Sequence, residues 1–154
     1  MAVEKPECLP ERLLAQEWRD ILDVHARTMC ELDRELHAFG LGASDFEVLD
    51  LLAQGRDEGD GDDRGDGGKD PYGSFRVQEL ASGIHLSQSA LSRVIGRLEK
   101  DGLVARGMCA QDRRGVRVEI TDAGRVRHSE VLPIQRAVLA RMLGSGRGRD
   151  AVRP

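Results

Sequence analysis

Residues Leu86–Arg106 read LSQSALSRVIGRLEKDGLVAR, and the spacing inside this stretch decides the fold. Ser87 is an N-cap residue type whose hydroxyl can accept from a free N–H of the first turn, and Leu86 before it can pack on Leu91 as a hydrophobic staple. Leu91, Val94, Ile95 and Leu98 recur at i, i+3, i+4 and i+7, one apolar stripe of a helix over Gln88 to Asp101. The opposite face carries Gln88, Ser89, Ser92, Arg93, Gly96, Arg97 and Lys100. A helix lying in a DNA major groove needs this arrangement: short polar groups near its N-terminus to reach base edges, and longer cations farther along to reach the flanking phosphates. Gly96 costs a helix interior about 1 kcal/mol relative to Ala, and its missing side chain permits close approach of backbone or DNA. Taken alone, the same face also suits a helix whose polar side is merely solvated.

The following residues favour the DNA reading. Leu103, Val104 and Ala105, then Val116, Val118 and Ile120, predict two strands around a polar tip at Gln111 to Gly115, a hairpin wing. Arg113 and Arg114 at such a tip suit a narrow minor groove, where negative potential is concentrated, and Asp112 can hold one guanidinium through a bidentate pair. A charged turn without a ligand is the competing reading.

Outward from this unit, Ser74 to Arg76 predicts a short strand and Val77 to Ser82 a brief helix stopped by Gly83. Residues 55–73 are mostly Gly, Asp and Arg, with nothing apolar before Pro71 and Tyr72 to anchor them, and predict a mobile loop. It reads either as an acidic arm that restrains non-specific DNA binding or as a tolerated surface insertion. Ser44 with Glu47 reads as a capping box opening a helix through Phe46, Val48, Leu49, Leu51 and Leu52. After Pro10, Leu13, Leu14, Trp18, Ile21, Leu22, His25, Met29, Leu32 and Leu36 recur at helical intervals to about Ala38, a long amphipathic helix. A last helix starts at Asp122; Pro133 within it removes a backbone hydrogen bond and should bend it, and the chain ends in GSGRGRDAVRP.

The chain has 154 residues, enough for one compact unit, and a formal charge of −4. That total argues against a nucleic-acid partner, but its distribution does not. From Phe75 to His128 there are ten Arg and Lys against six Asp and Glu, a local excess of about +4. Three cysteines, Cys8, Cys30 and Cys109, indicate neither a disulfide framework nor a paired zinc site and fit a reducing cytosol. No signal-peptide run or bilayer-length apolar stretch is present, so the expected location is cytoplasmic, at the nucleoid, with no membrane partner. One Trp, one Tyr and three Phe are too few for single-strand binding on stacked aromatic platforms.

LSQSALSRVIGRLEKDGLVAR, then DRR at Asp112 to Arg114, then VRVEITDAG, together resemble the MarR family of multiple-antibiotic-resistance regulators over roughly Leu41 to Arg127. The order of helix, helix, wing and Thr-Asp-x-Gly leading into the next helix carries the likeness; each piece alone is weak. The resemblance implies a mainly α fold with a small β-wing, a winged helix-turn-helix with N- and C-terminal dimerisation helices. On that plan residues 1–43 hold the first dimerisation helix, 44–121 the DNA-binding domain with its 55–73 insert, and 122–154 the second dimerisation helix and a short tail. It also implies a homodimeric repressor on a pseudo-palindromic double-stranded operator, released by a small ligand or oxidant. Ser87, Gln88, Ser89, Ser92 and Arg93 match the reading end of the recognition helix, Arg97 a backbone contact, Arg114 the wing-tip arginine with Arg113 beside it, and Asp112 its acidic partner. No final dimerisation helix follows, so Val131, Leu132, Ile134, Val138, Leu139 and Met142 are expected to share the interface with the first helix.

For an effector, family members often bind aromatic acids or phenols between the dimer helices and the reading domain, which makes Trp18, His25 and Met29 candidate lining residues. A redox switch would use Cys109 near the basic wing. No metal site is expected, since His25, Cys30, His37, His85 and His128 show no i, i+4 pair on one helix and read as surface or interface residues. No cofactor is implied. An enzyme is disfavoured because the clustered carboxylates sit in the loop and no nucleophile elbow, P-loop or zinc-protease motif occurs. A winged-helix protein-interaction module without DNA binding stays open as the non-enzymatic alternative.

Overall fold

The computed structural model describes residues 10–55, 75–108 and 116–144. In chain order it contains α1 (Glu11–Leu36), a 3-10 turn (His37–Phe39), α2 (Ala43–Gln54), β1 (Phe75–Arg76), α3 (Val77–Gly83), α4 (Gln88–Lys100), β2 (Val104–Met108), β3 (Val116–Ile120) and α5 (Asp122–Gly144). The fold is mainly helical with an antiparallel wing, as the residue pattern predicts. The three strands are ordered β1-β3-β2, with Val104 opposite Ile120, Arg106 opposite Val118 and Phe75 opposite Val118 on the other side. Among the described residues no helix is long and apolar enough to cross a membrane.

Every residue of the predicted apolar stripe on α4 is buried: Leu91, Val94, Ile95 and Leu98 join Phe46, Val48, Leu49 and Leu52 of α2, Leu80 of α3 and Val118 of β3 in one core. Burying each such side chain contributes roughly 1.5–3 kcal/mol, so this shared core fixes α4 against its neighbours. At its C-terminal end α4 closes in a Schellman motif. Gly102 adopts φ +73°, its N–H donates to Glu99 O at 3.0 Å, and Leu103 N–H donates to Leu98 O at 2.9 Å. The left-handed turn suits Gly and drops the buried Leu103 straight into β2.

The TDAG segment acts as a clasp. The Thr121 hydroxyl donates to Gly102 O at 2.6 Å and accepts from Gly124 N–H at 3.0 Å, so it caps α5 while tying that helix to the turn after α4. Gly124 is required there, because a Cβ would sit 2.0 Å from the Leu103 carbonyl oxygen.

Helix α2 begins differently from the expected Ser44–Glu47 box. Gly42 is the N-cap, Asp45 at N3 accepts the Gly42 N–H at 2.8 Å, and Asp33 of α1 accepts the Ala43 N–H at 2.7 Å. A glycine has no side chain to complete a box, and the carboxylate arriving from α1 takes over that job, starting the helix before Ser44.

Helices α1 and α5 pack together through Leu32 and Val138, joined by Ala43 at the start of α2, with Met29, Leu139 and Met142 partly buried around them. Arg141 of α5 pairs with Glu31 of α1 across this seam. The apolar residues of α5 expected to share an interface with the first helix pack within the chain. Val131 and Val138 are buried within the chain, and Leu132, Ile134, Leu139 and Met142 pack on its own core because the stripe faces α1 and α2. Pro133 lies inside α5 without ending it; the Ser129 carbonyl left without an N–H donor belongs to an exposed residue that water can reach.

The uncovered apolar surface lies on α1. Every residue from Glu11 to Arg27 is exposed, including Leu13, Leu14, Trp18, Ile21 and Leu22. Seventeen residues amount to about 25 Å of helix that the other described residues leave exposed.

A candidate nucleic-acid interface and an adjoining cavity

The outward face of α4 is built as its sequence predicts. Gln88, Ser89, Ser92, Arg93, Gly96, Arg97 and Lys100 are all exposed, on the side away from the core. Ser87 spends its hydroxyl on the cap, accepting the Ala90 N–H at 3.2 Å with the Ser89 hydroxyl also 3.2 Å away. Its role is to present the first turn. Arg93 folds back along the helix, Nε donating to Ser89 O at 3.4 Å. At Gly96 a Cβ would meet nothing within 4 Å, so nothing described in the fold demands the glycine.

Arg97, expected to contact the DNA backbone, has its Nη2 2.7 Å from Oδ1 of Asp45 while its side chain stays 56% exposed. The same carboxylate caps α2, so one acidic residue orients both helices. Arg106 of β2 pairs with Glu99 of α4 at 2.8 Å, a surface tie between the base of the wing and α4. Asp112, Arg113 and Arg114 lie outside the described residues, as do Cys8, Cys109 and residues 56–73 of the insert. Cys30 is an exposed free thiol on α1.

Between α1, α2, the α3–α4 turn and α5 lies a cavity of about 630 Å³, in the size range of small-molecule sites. His25 and Met29 line it; Trp18, 59% exposed, is not among the lining residues although it shares their side of α1. Thr28, on the cavity wall, is buried, and its hydroxyl has no partner among the described residues. Glu47 also lines the cavity, and burial, then the neighbouring Asp50, push its carboxyl above the ordinary value while Arg136 partly offsets them.

His128 is not isolated on the surface. It stacks on Phe46 with ring centroids 5.3 Å apart and lies 2.8 Å from Asp50, which Arg136 also approaches at 3.4 Å. Among the described residues no group of His, Cys, Asp and Glu is placed to hold a metal.

Two functional connections escape a reading of the sequence. Asp45 and Arg97 are separated by 52 positions, and only the packing of α2 on α4 brings them together. Glu17, Asp20 and Glu47 sit on two different helices, and only the fold gathers them at the cavity.

The family model of the MarR family matches residues 71–116. The HTH-type transcriptional repressor MdtR of Bacillus subtilis (strain 168) is 36% identical over 72 residues, covering 47% of this chain and 46% of that protein. The match thus spans about half the length of that curated relative. Among solved structures, AbsC, a MarR family transcriptional regulator from Streptomyces coelicolor, is 27% identical with a TM-score of 0.67, covering 97% of this chain and 86% of its own. A second MarR family regulator from the same organism, solved in complex with DNA, is 25% identical with a TM-score of 0.68, covering 98% and 82%.

Proposed function

The chain belongs to the MarR family of winged-helix transcriptional regulators, and from that premise we propose that it represses transcription by binding a pseudo-palindromic duplex operator as a homodimer. A small effector bound in the cavity releases it. The observation that carries the reading is the outward face of α4, polar at its N-terminal end, cationic farther along, and held by a fully buried stripe beneath. Gln88, Ser89, Ser92 and Arg93 read base edges and nearby phosphates, and Arg113 and Arg114, positioned by Asp112, enter the adjacent minor groove.

The homodimer is supported by the exposed apolar half of α1, which would otherwise leave Leu13, Trp18 and Ile21 at 53%, 59% and 54% exposure. The effector role is supported by where the cavity lies. Ser44 and Glu47 of α2 form part of its wall, beside Asp45, which holds Arg97 of the recognition helix. Occupying it displaces the start of α2 and with it the orientation of α4. The family is one of regulators, not enzymes, and the protein acts on the nucleoid in the cytoplasm.

Selection of genomic fragments by the purified protein tests this reading. The expected result is enrichment of intergenic inverted repeats with half-sites about one helical turn apart, bound with an affinity that falls steeply with log salt. Uniform recovery of fragments without an inverted repeat would refute it.

A further inference from the structure

We infer that the cavity between α1, α2, the α3–α4 turn and α5 selects an amphipathic organic cation, a proposal that rests on reading this cavity as the effector site. Its walls are largely apolar, formed by residues such as Ile21, Leu32, Ile84, Leu86 and Leu139. Its ionisable lining is one-sided. Glu17 and Asp20 of α1 and Glu47 of α2 face it, with His25 and His85, and no Lys or Arg is among the described lining residues.

That composition disfavours the aromatic acids suggested by family resemblance. A carboxylate ligand entering this site would lose hydration, meet like charges and find no guanidinium or ammonium among the described lining residues. A ligand with an apolar body and a delocalised positive charge reverses each of these effects. Its body replaces water on the aliphatic walls, and its charge is balanced by carboxylates already present. Glu47 adds a specific reason, since burial and Asp50 disfavour its ionised form, only partly offset by Arg136, and a cation beside it would counter the repulsion from Asp50. The arrangement resembles a cation trap more than a carboxylate receptor, and it places the ligand's charge within reach of α2, next to the Asp45 that holds Arg97.

The test uses two probes of nearly equal size and shape and opposite charge, tetraphenylphosphonium and tetraphenylborate, titrated calorimetrically into the full-length protein at pH 8. Tetraphenylphosphonium is expected to bind saturably and at least tenfold more tightly than tetraphenylborate. Glu17→Gln with Asp20→Asn, and separately Glu47→Gln, are expected to reduce that preference several-fold while leaving the melting curve cooperative. A preference for the borate, equal binding of the two, or no binding of either overturns the cation assignment. Operator release, read by fluorescence anisotropy against labelled DNA alone, separates this proposal from the effector reading. A cation that binds in the acid-dependent manner without releasing DNA upholds the ligand class and defeats the effector role. Release by an aromatic carboxylate at lower concentration than by the cation defeats the ligand class and upholds the effector role.

Discussion

Asp45 of α2 holds the Arg97 guanidinium of α4 at 2.7 Å, and through its other oxygen accepts the Gly42 N–H at 2.8 Å. The carboxylate is 10% exposed and the guanidinium 56%, so the pair lies at the boundary of the core and contributes about 1 kcal/mol after solvent screening. Its larger consequence is geometric, because the middle of the recognition helix is referenced to the start of α2, and Asp33 references that same start to α1.

Replacing Asp45 by Ala removes an ion-pair partner and a helix cap together. The expected loss is about 1–2 kcal/mol in urea unfolding. Arg97 then becomes available to phosphate, so the slope of log affinity against log salt steepens by about 0.9, and the added substitution Arg97→Ala reverses the change. An unaltered slope in both variants would show that the pair has no bearing on DNA.

Gly124→Ala places a methyl group where the Leu103 carbonyl oxygen is 2.0 Å and Ile120 Cγ1 is 2.8 Å away. The turn joining α4 to β2 must move, and the expected cost is about 3 kcal/mol. Gly107→Ala on β2 meets nothing within 4 Å and serves as the comparison; it should unfold within about 0.5 kcal/mol of the parent.

Gly96→Ala separates folding from recognition. With open space around the new methyl, the variant gains about 1 kcal/mol of helix stability. If the glycine exists to admit DNA, operator affinity falls in the same protein, and gel-shift titration beside thermal melting shows both. A more stable protein with unchanged affinity removes Gly96 from the interface.

The raised Glu47 carboxyl gives stability a particular pH dependence. Its ionised form is disfavoured in the folded chain, so between the ordinary carboxylate value and the raised one the folded state binds more proton than the unfolded state, and this group's contribution improves as pH falls through that window. Glu47→Gln lacks the ionisation. The variant should melt above the parent at pH 7, and the gap should close toward pH 4, comparison of the two proteins cancelling the remaining carboxylates.

Assembly is checked by Ile21→Glu and Leu14→Glu, which place charge on the uncovered face of α1. Sedimentation should show a dimer for the parent and a concentration-independent monomer for the double variant, with operator affinity reduced by at least about a hundredfold because each half-site is then bound alone. A parent sedimenting as a monomer at micromolar concentration would contradict the proposal directly.

What the sequence disclosed and what it withheld divide along a physical line. The stripe Leu91, Val94, Ile95, Leu98, the Ser87 cap and the two strands of the wing are set by spacings of a few residues, and each appears where its period places it. Thr121 and Gly124 were recognisable as a motif, but their tasks as clasp and close contact depend on Gly102 and Leu103, some twenty positions away. The start of α2 was misplaced because a carboxylate on another helix supplies the cap. Periodicity placed Trp18 and Val138 on apolar faces; Val138 packs on α1 within the chain, Trp18 stays 59% exposed among the described residues, and neither lines the cavity. His128 carries no local sign of the Phe46 ring and Asp50 carboxylate that enclose it.

The Thr121 hydroxyl, bonded at once to the turn that ends α4 and to the first turn of α5, makes the reading head and the last helix a single lever. Arg106 and Glu99 add a surface tie between the wing and the same body. On the proposed dimer, the spacing between its two reading units is then the quantity that a signal arriving at α1 would have to change.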